Sequence, residues 1–160
     1  METVNIKIAK IHAQARTPLV SPGDLGFDLF VVPDPTFREP TTASHKADYR
    51  LDAGHSHVFH TGLKFDMPHD YGFLIKDRSG NAVSKGLHVL AGVIDSTYRG
   101  EVMVCILNTS SDYAPQYIQA GDRIAQGVIV PTYNIEFNTT DGDSLSATSR
   151  GEKGFGSSGN

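Results

Sequence analysis

Apolar residues in this 160-residue chain fall in short runs, and several of these runs alternate with polar residues. Val4, Ile6 and Ile8, for example, alternate with Asn5 and Lys7, which is the period-two pattern of a half-buried β-strand. Similar runs, each bounded by Gly, Pro, Asn or Asp, cover residues 29–32, 72–76, 102–107 and 124–130. Seven or more short strands predict an all-β chain folded as a sandwich or a jelly-roll-like β-barrel, with one short helix within residues 79–85.

Charge, cysteine content and hydropathy exclude several classes of protein. Fourteen Lys and Arg against 18 Asp and Glu give a net charge of −4, which argues against a direct nucleic-acid partner or an acidic membrane surface. The single cysteine, Cys105, excludes an internal disulfide. No apolar stretch approaches the ~18 residues of a membrane span, so we expect a cytoplasmic protein with no membrane partner.

Two segments depart from the strand pattern. Residues 33–48 contain three prolines and little periodicity, so we expect a long surface loop inserted into a domain over residues 1–137. Residues 138–160 are polar, and the last ten include four glycines, which predicts a mobile C-terminal arm. Arg150, Lys153 and Phe155 lie among these glycines, a composition that suits a lid over a flat, anionic ligand. An idle terminus is the alternative.

Three short motifs offer groups for phosphate chemistry. Arg78 supplies paired donors, Ser79 a hydroxyl group, and Gly80 allows backbone N–H groups to approach an anion closely, although the same residues also make ordinary turns. Asp95 follows two apolar residues at a predicted hairpin tip, where it would act as a general base or organise its own turn. Gln126 lies in a predicted strand and needs a polar partner, either protein or ligand.

Five motifs occur in one order along the chain, and their order is more specific than any single motif. They are Leu25-Gly-Phe-Asp-Leu29, Arg78-Ser-Gly80, Gly92-Val-Ile-Asp-Ser-Thr-Tyr-Arg-Gly100, Gly121-Asp-Arg-Ile-Ala-Gln126 and Arg150-Gly-Glu-Lys-Gly-Phe-Gly-Ser-Ser-Gly159. This order resembles that of the homotrimeric dUTPases, the dUTP pyrophosphatases, from about residue 6 to residue 159.

The resemblance implies a homotrimer that uses Mg²⁺ to hydrolyse dUTP to dUMP and pyrophosphate at sites shared between subunits. Such an enzyme limits uracil in DNA and supplies dUMP for dTTP synthesis. Asp95 would deprotonate the water that attacks the α-phosphorus, Tyr98 would pack against the deoxyribose, and Asp28 would lie near Mg²⁺ through water. The backbone of a hairpin from Val89 through Gly92 to Ile94 would read the uracil edge.

The remaining matched residues would contact the phosphates or close over the base. The phosphate contacts implied by the resemblance are Arg78, Ser79, Gly80 and Gln126. In the arm, Phe155 would stack on uracil. The residues implied at the γ-phosphate end are Arg150, Gly156, Ser157 and Ser158.

The sequence departs from the family pattern at a few positions. Thr97 stands where the family usually has Asp or Gly, Asn81 replaces an apolar residue, and Ser84 takes a Lys position, with Lys85 next to it. These changes put the packing of the short helix, and some phosphate or trimer contacts, in question. The 33–48 loop exceeds what compact members need, so it is either a tolerated insertion or a contact for a regulatory protein.

Two other functions stay open at this point. The related dCTP deaminases share the fold, but they carry Ser and a second Arg where this chain has Gly80 and Val83. A trimeric interaction protein, in which the nucleotide only gates partner binding, is the second alternative. The presence of Asp95, Tyr98 and the whole arm favours catalysis, because a binding protein needs no base.

Overall fold

The computed structural model describes residues 3–34 and 49–152. Most of the predicted 33–48 loop lies outside these residues. So do the arm residues Phe155, Gly156, Ser157 and Ser158.

The described residues form eleven strands, one α-helix and one 3₁₀ turn. The strands are β1 (Lys7–Lys10), β2 (Gly26–Phe30), β3 (Tyr49–Leu51), β4 (Ser56–His60), β5 (Leu63–Asp66), β6 (Tyr71–Lys76), β7 (Leu87–Leu90), β8 (Val93–Ile94), β9 (Met103–Asn108), β10 (Gln116–Ile118) and β11 (Arg123–Pro131). Helix α1 is Ser79–Lys85 and the 3₁₀ turn is Gly142–Ser144. The predicted all-β class and the short helix are confirmed.

The strands pair antiparallel in four small sheets. A four-stranded sheet has the order β2-β11-β6-β8, a three-stranded sheet has the order β4-β9-β7, and β1-β5 and β10-β3 form two-stranded sheets. Period-two alternation in these strands directs one face inward, as in Met103–Asn108, where every second residue is buried. The jelly-roll-like prediction is confirmed by this arrangement and by the structural relatives described below.

Aromatic residues fill much of the core below the four-stranded sheet. Phe27, Phe65 and Phe73 form mutual ring contacts with centroids 5.1–5.9 Å apart. Gly127 lies directly under the Phe27 ring, in a place where any Cβ atom would collide with it. A glycine is therefore required at this point of β11 for the aromatic cluster to pack.

The predicted limits of the second strand were wrong by a few residues. β2 begins at Gly26 and ends at Phe30, rather than covering residues 29–32. Val31 and Val32 are buried, but their N–H groups donate to the carbonyl oxygens of Asp122 and His60 in other elements. Val31 and Val32 are apolar because they are buried where the chain contacts other elements after β2. Periodicity alone does not distinguish such a buried segment from a strand.

The predicted hairpin over residues 89–94 is also corrected. β7 pairs with β9, whereas β8 pairs with β6, so the two segments belong to different sheets. Ala91 and Gly92, both with positive φ, turn the chain between the two strands.

Among the described residues, no helix is long and apolar enough to cross a membrane.

Candidate active site

Three neighbouring strands bring predicted site residues together at one end of the four-stranded sheet. Asp28 on β2, Gln126 on β11 and Lys76 on β6 are in register. Arg78 lies just beyond β6, and its Nε donates a hydrogen bond of 2.7 Å to Oδ1 of Asp28. Nη1 of Arg123 lies 3.4 Å from the other oxygen of Asp28. We refer to these residues as the Asp28–Arg78–Gln126 cluster.

Gln126 was expected to need a polar partner, either protein or ligand, and its side chain has a protein partner. Its Nε2 donates to the carbonyl oxygen of Asp77 at 2.7 Å. Gly26 leaves room for the amide oxygen, because a Cβ there would lie 3.0 Å from it. The same amide group carries a second N–H donor.

Helix α1 begins immediately after Arg78 and exposes Ser79 and Gly80. The first N–H groups of a helix have no partner within it, so those of this turn can meet an anion. Beside the helix lies a cavity of about 170 Å³. Its polar lining includes Arg78, Asn81, Lys85, Asp122 and Arg123.

Asn81 packs the short helix although it replaces an apolar residue. Its side chain is only 9% exposed, and its Nδ2 donates to the carbonyl oxygens of Arg123 and Ile124 at 2.9 and 3.0 Å. The amide group thus ties α1 to the start of β11. Ser84 and Lys85, by contrast, are exposed on the last turn.

The segment predicted to bind the uracil edge, residues 89–94, is held in place by hydrogen bonds at Val89 and at Gly92. Val89 is buried and its N–H donates to Oδ1 of Asp77 at 2.6 Å. Gly92 has φ of 104°, and its carbonyl oxygen accepts the N–H of Ile75 at 2.7 Å. A Cβ on Gly92 would lie 2.8 Å from the Ile75 carbonyl oxygen, so this close approach requires glycine.

Asp95 directly follows β8 and is exposed. Its carboxylate forms no hydrogen bond or ion pair with another group in the described part of the chain, and its carbonyl oxygen accepts the N–H of Tyr98 at 3.1 Å. The Tyr98 hydroxyl donates to the carbonyl oxygen of Glu101 at 3.0 Å, which folds the ring over Gly100. A side chain on Gly100 would collide with that ring.

Asp95 and Arg78 lie at opposite ends of β6. Ile94 pairs with Phe73, so Asp95 lies next to Gly72. Gly72 and Arg78 are separated by 78 − 72 = 6 residues of extended chain, or about 20 Å at ~3.3 Å a residue. The carboxylate and the Asp28–Arg78–Gln126 cluster of one chain are therefore too far apart to act on one phosphorus atom.

Asp28 was predicted to lie near Mg²⁺ through water. Both its oxygens face guanidinium groups, and its side chain is 30% exposed. Mg²⁺ usually keeps several waters and binds substrate phosphates through few protein ligands. No group of three His, Cys, Asp or Glu residues within the described ranges could hold a metal. An ion held by phosphates and water would fit these residues, and Asp28 would lie near it through water.

Of the predicted arm residues, Arg150 lies within the described chain and is exposed. The last strand ends at Pro131, and residues 132–142 are exposed. The division into a domain over 1–137 and an arm over 138–160 stays a prediction.

A family model described as dUTPase matches residues 14–159 of this chain. The chain belongs to the dUTPase family. It is 36% identical over 162 residues to the deoxyuridine 5'-triphosphate nucleotidohydrolase of Helicobacter hepaticus, a match that covers 99% of this chain and 91% of that protein. The predicted family and its enzyme class, dUTP diphosphatase, are confirmed.

Solved dUTPases of staphylococcal phages share the fold. A variant of the phage 80alpha dUTPase, determined with dUpNHpp, has a TM-score of 0.77 and 25% identity, and the match covers 99% of this chain and 100% of that one. A variant of the phage phi11 enzyme, whose structure concerns the coordination of a structural Mg(II) ion, has a TM-score of 0.67 and 22% identity. That match covers 88% of this chain and 99% of the phi11 chain.

Sequence reasoning missed two dUTPase residues that shape the site. Asp77 directly precedes Arg78 in the sequence, but its partner Val89 is 12 residues away and on another sheet. Gly100 appears in a motif, but its contact with the Tyr98 ring depends on the turn that follows Asp95. A strand-ending carboxylate and a glycine after an aromatic residue are weak signals, because both are common in ordinary turns.

Proposed function

We propose that this chain hydrolyses dUTP to dUMP and pyrophosphate with Mg²⁺, in a homotrimer whose active sites are shared between subunits. Such an activity would limit uracil in DNA and supply dUMP for dTTP synthesis. The observation that carries the proposal is the exposed Asp95 carboxylate beside Tyr98, in a chain that the dUTPase family model matches over residues 14–159.

In the proposed reaction, Asp95 accepts a proton from a water molecule as the water oxygen attacks the α-phosphorus. The new bond joins that oxygen to phosphorus, and the bond from phosphorus to the bridging oxygen breaks. Pyrophosphate leaves with the bonding electron pair, and dUMP remains. An exposed carboxylate with no protein partner in the described chain suits this role, because a water molecule can reach it.

Selection of the nucleoside is assigned to the segment from Val89 to Tyr98. Backbone groups at Gly92 and Ile94 would read the uracil edge, and the Tyr98 ring would pack against the deoxyribose and exclude a 2′-hydroxyl group. The Val89 N–H already donates to Asp77, so Val89 would contribute through its position rather than through that donor. Rigid backbone donors and acceptors discriminate strongly, because a wrong base leaves them unpaired.

Phosphate binding is assigned to the Asp28–Arg78–Gln126 cluster together with Ser79 and Gly80. Arg78 uses one of its five N–H donors on Asp28, so the others can hold phosphate oxygens. Bound Mg²⁺ would reduce the negative charge of the phosphates, with Asp28 as its only proposed protein contact. The arm residues Arg150, Phe155, Gly156, Ser157 and Ser158 would close over the nucleotide.

Two observations support the homotrimer. The roughly 20 Å between Asp95 and Arg78 favours a site in which one chain supplies the base and another the phosphate contacts. In addition, Tyr133, Ile135 and Phe137 expose apolar side chains at alternate positions, and Val58 and Cys105 lie side by side on the outer face of the three-stranded sheet. Another copy of the chain would cover such surfaces.

The test is nucleotide consumption with Mg²⁺, in which dUTP, dCTP, dTTP and UTP are compared and the products are separated by chromatography. The expected result is conversion of dUTP to dUMP and pyrophosphate, with much slower turnover of the other three nucleotides. Ammonia release from dCTP would identify a deaminase instead. Binding of dUTP without turnover would favour the nucleotide-gated interaction protein.

Two further expectations from the sequence stay predictions. One is the cytoplasmic location, and the other is a regulatory protein partner for the 33–48 loop, most of which lies outside the described residues.

A further inference from the structure

Asp77 connects three elements through three polar contacts. Its Oδ1 accepts the N–H of Val89 at 2.6 Å, and its Oδ2 lies 2.8 Å from Nδ1 of His88. Its carbonyl oxygen accepts Nε2 of Gln126 at 2.7 Å. The residue therefore touches β7 with its side chain and β11 with its main chain, immediately before Arg78.

The contact with β7 is one that no strand pairing supplies. β7 is an edge strand of the three-stranded sheet, whereas β6 belongs to the four-stranded sheet. An edge strand leaves N–H groups without a ladder partner, and the Asp77 carboxylate accepts one of them from Val89. Because the acceptor is charged and the bond is short, it is among the stronger hydrogen bonds of a protein.

We propose that Asp77 is a positioning residue that fixes the base-reading segment, residues 89–94, relative to the Asp28–Arg78–Gln126 cluster. The inference rests on the proposed function, because that function gives the two groups their tasks. In a shared-site trimer, one chain gives its base-reading segment to one site and its cluster to another. Asp77 then sets the geometry of the base pocket through Val89 and of the phosphate contacts through Gln126.

The bond to Val89 matters more than the contact with His88. The His88 side chain is 56% exposed, and exposed ion pairs contribute little. Val89 is buried, so its N–H loses a partner that water does not easily replace when Asp77 is shortened. The edge of β7 would then shift toward solvent, and the uracil-reading backbone would shift with it.

A merely stabilising role and a positioning role give different results. Loss of stability lowers the activity toward all nucleotides together, since it lowers the amount of folded enzyme. Displacement of the base-reading backbone lowers the preference for uracil over cytosine, and it raises the KM for dUTP. The ratio of kcat/KM for dUTP to that for dCTP is therefore the deciding measurement.

The experiment compares the full-length wild type with Asp77→Ala, Asp77→Asn and Asp77→Glu, and with Asp70→Asn as the control. Asp70 is also an aspartate near an end of β6, but its side chain is 89% exposed. We measure kcat, KM, the dUTP/dCTP ratio, the affinity for dUpNHpp and the thermal unfolding midpoint. Asp77→Ala should lower kcat/KM for dUTP about 10- to 100-fold, mainly through KM, and reduce the ratio.

Asp77→Asn should keep most of the wild-type kcat/KM for dUTP and most of the wild-type dUTP/dCTP ratio, because its amide oxygen still accepts the Val89 N–H. Asp77→Glu keeps the charge but moves the acceptor by one methylene group, so it should lower the ratio even if Asp77→Ala does not fold. A wild-type ratio in Asp77→Ala and Asp77→Glu would overturn the inference, as would equal losses in Asp77→Asn and Asp77→Ala.

The assay also separates this inference from the proposed function. A wild-type protein that binds dUpNHpp but leaves dUTP intact contradicts the proposed reaction only. The inference is then decided by the relative affinities of the variants for dUpNHpp and its cytosine counterpart.

Discussion

Asp28 on β2 and Arg78 just beyond the end of β6 are 50 residues apart in sequence, and they form a hydrogen bond of 2.7 Å between Oδ1 and Nε. The register of β2 against β11 and of β11 against β6 brings them together, with Gln126 between them. A guanidinium group held in this way loses little conformational entropy when it binds a phosphate. The pair thus orients the proposed phosphate contact before any ligand arrives.

Replacement of Asp28 should weaken phosphate binding through Arg78. In Asp28→Asn the neutral amide holds the guanidinium group less firmly, and we expect kcat/KM for dUTP to fall about tenfold, which corresponds to ~1.4 kcal/mol. A titration with Mg²⁺ should also show a higher half-saturating concentration, since a carboxylate near the hydrated ion is lost. Steady-state kinetics within twofold of the wild type would contradict this role.

Replacement of Asp95 should separate chemistry from binding. Asp95→Asn keeps the size and exposure of the side chain but removes the base, so kcat should fall about 10²- to 10⁴-fold. Calorimetry with dUpNHpp should give an affinity close to that of the wild type. Loss of binding together with turnover would instead mean that Asp95 maintains the turn to Tyr98.

Much of the fold follows from local patterns, whereas the cluster around Arg78 does not. Period-two alternation indicates the strands, and the helix occupies the predicted residues Ser79–Lys85. The proximity of Asp28 to Arg78 depends on strand order and register, which arise only when distant strands pair. Local sequence carries no information about a contact across 50 residues.

Asn81 and the 89–94 segment show the same limit of prediction from local sequence. A polar residue at an apolar position suggested poor packing, yet the Asn81 amide meets two carbonyl oxygens at the start of β11. Likewise, two apolar runs joined by Ala91 and Gly92 suggested a hairpin, but the runs joined different sheets. Whether a polar group is satisfied, and which strand it meets, is decided by tertiary contacts.

Gly100 should be required for the discrimination between deoxyribose and ribose. Gly100→Ala places a methyl group where the Tyr98 ring lies, so the ring must swing away from its position over the turn. Because Tyr98 is 41% exposed, the ring can move without unfolding the core. We expect the preference for dUTP over UTP to decrease, with an unfolding midpoint near that of the wild type.

The comparison of UTP and dUTP turnover in Gly100→Ala checks this expectation. Gly142→Ala is a control for a general glycine effect on stability, since a Cβ at that position meets nothing within 4 Å and the residue lies outside the proposed nucleotide contacts. A wild-type preference for dUTP in Gly100→Ala would mean that the ring position is not set by this contact.

His57 should make the stability of the protein sensitive to acid. Burial lowers the pKa of His57 below its ordinary value of 6.5, against the opposing charge of Asp34 and with a smaller contribution from His60. As the pH falls below about 6.5, the unfolded chain takes up this proton first, so the free energy of unfolding should decrease by up to ~1.4 kcal/mol per pH unit.

Denaturant unfolding at pH 7.5 and 5.5 measures this effect, with His57→Phe as the comparison. Phenylalanine keeps an aromatic ring next to Tyr49 and Phe59, whose centroids lie 5.6 and 4.8 Å from the imidazole. The loss of stability at pH 5.5 should be smaller in His57→Phe than in the wild type. Equal losses in the two proteins would assign the acid sensitivity to other groups.

Removal of the residues after Ser149 should abolish most turnover and leave the fold intact. Within the described chain the core consists of residues that precede Pro131, and residues 132–142 and 150–152 are exposed. We expect an unchanged unfolding midpoint and a large loss in kcat/KM, because the proposed contacts of Arg150 and Phe155 with the nucleotide are lost. Phe155→Ala in the full-length chain should reproduce part of the loss. A truncated protein with wild-type activity would show that catalysis proceeds without the arm.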